Sequence, residues 1–293
     1  MYRCCNIKHF CRLLVLDAVI FTVFAAAFAV GRIMIRVAAG ERDETSIRLP
    51  VIMYHSVCDK PPSEYVVTQK QLEDDLRYLH DNGYTAVSAQ QLVDYTRGRG
   101  ELPEKSVMIT LDDGFYNNLS EVLPLLEKYD MCAVVSVVGS YTDKDAPLDP
   151  HIPVYSYLTW DDVNELISSG RIEIGSHTYD MHGLGSVRRG CSIADGESEE
   201  DYRRALNSDL SQLQHEMYAH TGYIPFVFAY PFGAVSRESL PVIRENGFIM
   251  TLTCREKANT ITRDPQCLFG IGRFNRSGMY TTAEYMRMIF EEE

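Results

Sequence analysis

The sequence predicts an α/β protein: a distorted (β/α) barrel with about seven parallel strands, preceded by one N-terminal membrane helix. Strand-like and helix-like segments alternate from residue 49 onward, and about seven such units occupy the remaining residues, roughly 250. Such alternation implies parallel strand pairing with right-handed crossovers. This number of units fits a closed barrel better than an open sheet. The membrane helix is predicted from a single apolar run near the N-terminus.

That run, residues 13–30, is interrupted only by Asp17 and Thr22 and has Lys or Arg on both sides. It is long enough to cross the hydrocarbon layer of a membrane. The sequence thus divides into a cytoplasmic N-terminus (1–12), a transmembrane signal-anchor (13–31), a linker (32–48) and a large C-terminal domain (49–293). We expect a membrane-anchored protein whose C-terminal domain lies outside the cytoplasm. Secretion after signal cleavage is the alternative, because AFA (27–29) resembles a small-residue cleavage site.

The predicted domain is acidic. The chain has 28 Lys and Arg and 41 Asp and Glu, of which five and one lie in the first 40 residues. The remainder therefore carries 23 basic and 40 acidic residues, a net charge of −17. Such a surface repels nucleic acid, so we expect no nucleic-acid partner. The cysteines form no CxxC pair, and five of the eight follow the membrane run. That odd number argues against a disulfide framework and leaves a Cys254–Cys267 bridge open.

The strands are predicted from short apolar runs between polar or turn residues. In chain order they are LPVIMYH (49–55), YTAVS (84–88), SVMITL (106–111), CAVVSVVG (132–139), RIEIGSH (171–177), PFVFAYP (225–231) and FIMTLTC (248–254).

Capping residues predict where the helices begin. Thr68 with Gln71 and Ser88 with Gln91 form capping boxes, and Thr159 precedes WDDVNELISSG. Further helices are expected at 120–129, 199–220, 237–247 and 281–293. The loops at 140–158 and 183–198 are longer than usual connections, a length typical of functional or disordered segments.

Several predicted strands end in polar, chemically active residues. Strand 49–55 ends in His55, strand 106–111 is followed by Asp112-Asp113, and strand 171–177 ends in His177. The carboxyl ends of barrel strands share one face, so these side chains are expected to converge. His182 follows His177 by five residues, and a pair at that spacing shares a face on neither a helix nor a strand. The two can meet only if the chain curls, and two imidazoles with a carboxylate are a common open metal site.

TLDDGF (110–115) and HTYDMH (177–182) resemble the first two motifs of the polysaccharide deacetylase family, the NodB-homology carbohydrate esterases. The His spacing and VIMYH (51–55) resemble the branch that deacetylates poly-N-acetylglucosamine. The resemblance implies that Asp113, His177 and His182 bind one divalent ion, Zn²⁺ first, with Co²⁺ or Ni²⁺ as alternatives. It implies that Asp112 is the general base.

The resemblance is weaker in the third motif, AYPFG (229–233). Its proline and glycine are present, but Ala229 stands where the family has an arginine that orients the base. Arg273 is our candidate for that orienting role. The family implies an oxyanion contact from the backbone N–H of Phe232, and Tyr230 is assigned either to the same groove or to the core.

No histidine follows His220, so the usual Leu-x-His motif that supplies the acid is missing, and His55 inherits that role. The expected reaction is removal of N-acetyl groups from an extracytoplasmic polysaccharide that contains N-acetylglucosamine. Poly-β-1,6-N-acetylglucosamine, peptidoglycan and chitin-like polymers all remain open. Two other classes compete: a carbohydrate-binding member of the fold with impaired catalysis, and an Fe(II) oxygenase, which also uses two His and one carboxylate.

Overall fold

The computed structural model describes Thr22 and residues 46–148, 150–185 and 188–291. The predicted cytoplasmic N-terminus and the signal-anchor lie outside these residues, apart from Thr22, as does the linker up to residue 45. None of the described helices combines the length and the apolar character that a membrane crossing requires.

The described strands are short and buried at their centres. In chain order they are β1 Ile47–Leu49, β2 Val51–Tyr54, β3 Ser56–Val57, β4 Val66–Val67, β5 Thr85–Ala86, β6 Ser106–Leu111, β7 Ala133–Val137, β8 Ile172–Ser176, β9 Val227–Ala229, β10 Met250–Leu252, β11 Asn259–Ile261 and β12 Phe274–Asn275.

Seven of these strands form the predicted barrel. Their order is β10-β9-β8-β7-β6-β2-β12, every neighbouring pair is parallel, and β5 joins β6 at the side. The row curls back on itself. Ile271, just before β12, donates its N–H to Thr251 O (2.9 Å) and accepts the N–H of Thr253 (2.8 Å) at the far end of the row. The prediction of a distorted barrel with about seven parallel strands is confirmed.

Helices cover the outside of the barrel strands. They are α1 Gln69–Asp81, α2 Ala89–Thr96, α3 Leu123–Lys128, α4 Gly139–Asp145, α5 Trp160–Ser168, α6 Glu199–Thr221, α7 Ser239–Glu245 and α8 Thr282–Glu291. The two predicted capping boxes begin α1 and α2, and Thr159 forms a third with Asp162 at α5. Local side-chain chemistry therefore fixed these three helix starts.

Alternating side chains place the two faces of a barrel strand in different apolar clusters. On β6, Val107, Ile109 and Leu111 pack outward under the helices, whereas Met108 belongs to the second cluster with β9 and β10. This period of two is expected of strands that are covered on both faces. The pattern leaves the strand ends free to carry the polar residues.

Two segments differ from the predictions. The strand expected at 49–55 is divided at Pro50, which has no N–H to donate to a ladder, so β1 pairs instead with β11. The expected long loop at 140–158 includes most of helix α4, whose first N–H groups bond to the segment after His177. The described cysteines, Cys254 and Cys267 among them, are free thiols.

Candidate active site

The Asp112-Asp113-Gly114 segment is a sharp turn at the end of β6. Asp113 has φ 74° and Gly114 has φ 70°, so two successive residues adopt the left-handed conformation. A Cβ at Gly114 would lie 3.0 Å from Val137 Cγ1, and this close contact together with the positive φ favours glycine. The two aspartates consequently face different partners, and each carboxylate has its own environment.

Asp113 meets the two histidines that follow β8. Its Oδ1 lies 3.2 Å from His182 Nε2 and 3.7 Å from His177 Nε2. One donor atom from each of the three residues lies within 4.8 Å of the others. The structure therefore brings together the three side chains that the sequence singled out as a metal set.

The other nitrogen of each imidazole is already engaged. His177 Nδ1 donates to Ala229 O at 2.8 Å. Tyr141 Oη donates to His182 O at 3.2 Å and lies 3.3 Å from His182 Nδ1, from which it can accept. Protons held on both Nδ1 atoms leave the Nε2 lone pairs directed at Asp113. Such contacts orient histidine ligands in metal sites.

These residues fit a divalent ion on geometry alone. A tetrahedral zinc site with ligand bonds near 2.0–2.1 Å has donor atoms about 3.3 Å apart. The two measured distances from Asp113 Oδ1 lie on either side of that value. Two neutral nitrogens and one carboxylate also suit zinc and leave coordination positions for water or substrate. The ion itself stays a prediction.

Asp112 is held by Arg273 instead. Nη1 and Nη2 of Arg273 donate to Oδ1 and Oδ2 of Asp112, each at 2.7 Å, and Nε donates to Thr253 O at 3.0 Å. The arginine is fully buried and Asp112 is 2% exposed. Ala229, at the third-motif position, is buried in β9 and has no polar side chain. The structure thus brings Arg273, predicted as the substitute, onto the predicted base.

The two carboxylates are both held ionised, for different reasons. Burial raises the pKa of Asp112, but the charge of Arg273, with smaller contributions from the neighbouring His177 and His55, outweighs this effect and holds the pKa well below its usual value. Burial also raises the pKa of Asp113, but the contact with His182 and the nearby rings of His177 and His55 outweigh this effect and hold the pKa below its usual value. Burial lowers the pKa of His177, which favours the neutral ring that a metal ligand needs.

His55 lies directly after β2 on the same face of the barrel, and its ring contacts the edge of Tyr65 at 4.9 Å between centroids. Its Nδ1 is buried and has no hydrogen-bond partner among the described residues.

The third-motif turn brings Phe232 to the site and not Tyr230. Phe232 has φ 56°, and its ring centroid lies 4.6 Å from that of His182. The Tyr230 side chain is 2% exposed and shares a hydrogen bond with Ser239 at 2.9 Å. It packs in the core against Phe228 and presents no surface to a substrate, so we assign it to the core.

A second group of potential ligands lies on the surface at α4 and α6: Asp143, Glu216 and His220. Both Asp143 oxygens already accept bonds, from Trp160 Nε1 (2.8 Å) and Tyr179 Oη (2.7 Å). His220 stacks on Trp160. Glu216 Oε2 lies 3.7 Å from His220 Nε2, one helical turn away. We therefore interpret this group as surface packing.

Sequence reasoning missed Tyr141, whose only sequence signal was its place in an unusually long connection. It also missed Asp209, an acid within the apolar stripe of α6. Asp209 accepts the N–H groups of Tyr179 and Asp180, both at 2.8 Å. An acidic residue at a helix position that the apolar pattern predicts to be buried is the signal by which Asp209 could have been found.

Comparisons with known proteins agree with this fold and site. The pattern of the polysaccharide deacetylase family matches residues 99–251, just over half of the chain. The chain therefore belongs to the polysaccharide deacetylase family. The matched range contains Asp112, Asp113 and both predicted histidine ligands, whereas His55 and Arg273 lie outside it.

Among its relatives is the poly-beta-1,6-N-acetyl-D-glucosamine N-deacetylase of Escherichia coli K12, 27% identical over 222 residues. The alignment covers 69% of this chain but 33% of that protein, so the chain spans about a third of its length. A de-N-acetylase structure from Aggregatibacter actinomycetemcomitans superposes with a TM-score of 0.71 at 25% identity, covering 82% of this chain and 99% of that one. IcaB from Ammonifex degensii gives 0.65 at 27% identity, covering 78% and 91%.

Proposed function

We propose that this protein is a metal-dependent hydrolase that removes N-acetyl groups from a polysaccharide of N-acetylglucosamine, with the β-1,6-linked polymer as first candidate. One observation carries the proposal: a buried carboxylate, Asp112, is kept ionised by Arg273 beside the Asp113, His177 and His182 cluster. A base next to a metal set is what amide hydrolysis by water requires. The names of the relatives support the choice of polymer.

In this proposal Asp113, His177 and His182 hold one divalent ion, Zn²⁺ first and Co²⁺ or Ni²⁺ as alternatives. When bound, such an ion lowers the pKa of water towards about 7 and polarises a carbonyl. Asp112 accepts a proton from the attacking water, and the guanidinium of Arg273 keeps the carboxylate charged and correctly oriented for that step. The short bidentate contact restricts Asp112 to a single orientation.

The leaving amine needs a proton, and the oxyanion needs a donor. An unprotonated sugar amine is a poor leaving group. His55 follows β2 at the end of the barrel that carries the site, and we assign it the role of proton donor. The backbone N–H of Phe232, in the left-handed turn beside His182, is our candidate for the oxyanion contact. The base must be deprotonated and the acid protonated, so the rate should show a bell-shaped dependence on pH.

The competing classes are less well supported. The absent third-motif arginine was the reason to consider a carbohydrate-binding member with impaired catalysis, and Arg273 now makes the contact that arginine would make. An Fe(II) oxygenase also uses two His and one carboxylate, but that chemistry has no use for a second, arginine-bound Asp112.

We further propose that residues 13–31 anchor the protein in a membrane, after a cytoplasmic segment 1–12 and before a linker 32–48, with the domain 49–293 outside the cytoplasm. The apolar run and its flanking charges support this arrangement. Fractionation of cells that express the chain with a C-terminal tag tests it. Tagged protein in the culture medium at reduced mass would instead indicate a cleaved signal.

Acetate release by the purified full-length chain tests the function. Poly-β-1,6-N-acetylglucosamine, peptidoglycan and a chitin oligomer are supplied in parallel, each with and without a chelator. We expect release from the β-1,6 polymer that the chelator abolishes and that added Zn²⁺ restores. The Asp112→Asn variant is the matched control. Binding of a polymer without acetate release in the zinc-loaded protein would favour the carbohydrate-binding class.

A further inference from the structure

We propose that Asp209 is a positioning residue for the metal site: its carboxylate fixes the bend between His177 and His182, so the affinity for the ion depends on it. The proposal rests on the metal site of the proposed function. Asp209 lies at the middle of α6 and is 7% exposed. It touches neither histidine ring directly, so any effect passes through the backbone between them.

The carboxylate binds consecutive backbone N–H groups of that bend. Oδ1 accepts from Tyr179 N and Oδ2 accepts from Asp180 N, each at 2.8 Å. A carboxylate with both oxygens engaged by adjacent backbone groups sets their relative direction. Two of the four residues between the two histidines are held by this one side chain.

Helix α4 holds the same bend from its carbonyl side. Gly139 N donates to Thr178 O at 3.1 Å, and Ser140 N donates to Tyr179 O at 2.8 Å. A side chain at Gly139 would meet the Tyr179 ring at 2.5 Å, so the helix approaches the bend as closely as a glycine allows. The segment is therefore clamped between α4 carrying the donors and Asp209 carrying the acceptors.

The bend needs such clamps because its conformation is unfavourable by itself. Thr178 is β-branched yet has φ 75°, a region that β-branched residues rarely adopt. Its Oγ1 is buried and has no partner among the described residues. A chain released at this point would relax towards ordinary backbone angles, and the five-residue spacing would then no longer bring His182 back to Asp113.

Asp209 could instead only stabilise the packing of α6 on the barrel. The two roles differ in what they change. A packing role lowers the stability of the protein, whereas a positioning role also weakens ion binding and alters the geometry around the ion. Asp162 is a suitable control because it too is a buried helical carboxylate, 4% exposed. It accepts Thr159 N at 2.8 Å and Thr159 Oγ1 at 2.7 Å in its own helix cap, and its Oδ1 also lies 2.9 Å from His151 Nε2.

The test compares the full-length wild type with Asp209→Asn and Asp162→Asn. Asparagine keeps the volume but replaces one acceptor by an NH₂ group that opposes a backbone N–H. Zn²⁺ affinity is measured by competition with a chromophoric chelator, geometry by the visible spectrum of the Co²⁺-loaded protein, and stability by metal-free thermal unfolding. We expect both variants to have a lower melting temperature than the wild type. Only Asp209→Asn should lose affinity, by about 10–100-fold as for other residues that orient ligands, and change the cobalt spectrum.

An Asp209→Asn protein that binds Zn²⁺ like wild type, with an unchanged cobalt spectrum, overturns the positioning role, whatever its stability. Should that variant not fold, Asp209→Glu carries the test: it keeps the charge but displaces both oxygens along the longer side chain. It should lose affinity and alter the cobalt spectrum, and wild-type behaviour in both overturns the proposal. Wild-type protein that binds no ion refutes the proposed metal function itself, an outcome distinct from a failure of Asp209 alone.

Discussion

Replacement of Arg273 by lysine separates stability from catalysis in this barrel. Lysine keeps the positive charge but cannot make the two parallel bonds to Asp112. Arg276 provides a matched control, because it is also buried and binds a buried aspartate with two nitrogens: Nε to Asp75 Oδ2 at 2.6 Å and Nη2 to Oδ1 at 3.1 Å. The Arg276–Asp75 pair links the segment after β12 to α1, where Asp75 also accepts a hydrogen bond from Tyr54 Oη.

The expected loss of stability follows from the burial of each pair. Breaking a buried ion pair by removing one partner costs about 3–5 kcal/mol. Lysine restores part of this, so each variant should lose about 1–3 kcal/mol, the cost of leaving a buried polar group without its partner. The two variants should differ far more in activity than in stability. Only Arg273→Lys misorients the base, and loss of general-base catalysis costs about 10²–10⁴-fold in rate.

The assay measures kcat/KM for acetate release, zinc content and the free energy of unfolding in denaturant for Arg273→Lys, Arg276→Lys and wild type. Both variants should unfold at a lower denaturant concentration than wild type and retain zinc, whereas only Arg273→Lys should lose turnover. Equal turnover in the two variants, after correction for the folded fraction, would refute the claim that Arg273 acts on the base and not only on the fold.

Further tests address the remaining roles. Asp112→Asn should lower turnover by about 10²–10⁴-fold with zinc content near wild type; loss of zinc instead would mean that the two aspartates have exchanged roles. His55→Ala should reduce turnover of amide substrates much more than that of activated aryl acetates, which leave without protonation; equal losses on both exclude His55 as the acid. His177→Gln should abolish the rise in melting temperature that Zn²⁺ gives the wild type, and a rise of normal size would remove His177 from the ligand set. Because the pKa of Asp112 is below its usual value in the fold, its charge stabilises the protein above about pH 4, and this contribution is lost as the pH falls further. Metal-free wild type should therefore lose more unfolding free energy between pH 7 and 3 than Asp112→Asn, and parallel losses would contradict an ionised, arginine-bound Asp112.

Much of the barrel could be predicted because its signals are local. Apolar runs between polar residues marked the barrel strands, and the capping residues Thr68, Ser88 and Thr159 marked helix starts that the structure contains. The convergence of Asp113, His177 and His182 needed one further step, the rule that parallel strands present their carboxyl ends on one face.

The supports of the site could not be predicted in the same way. Tyr141 reaches His182 because α4 begins where the chain leaves β7, and neither the helix nor its direction has a clear pattern in the sequence. Pro50 was visible, but its consequence, the pairing of β1 with β11, depends on a strand more than two hundred residues away. Contacts of this kind depend on tertiary position, and one sequence contains no direct record of it.

The source of the orienting cation is the clearest case of this limit. A carboxylate that is 2% exposed cannot stay charged without a partner, so the predicted base Asp112 requires a nearby cation on physical grounds. Ala229 at the third-motif position showed from the sequence that this cation must come from elsewhere. The sequence could not show from where, because long side chains from several strands can reach the interior of a barrel. Arg273 crosses it from the segment before β12, and the same chemistry is satisfied from a different part of the chain. A missing motif arginine in such a barrel therefore shows only that one strand does not supply the cation. The buried carboxylate still needs one, and the replacement should be sought among the side chains that can reach it.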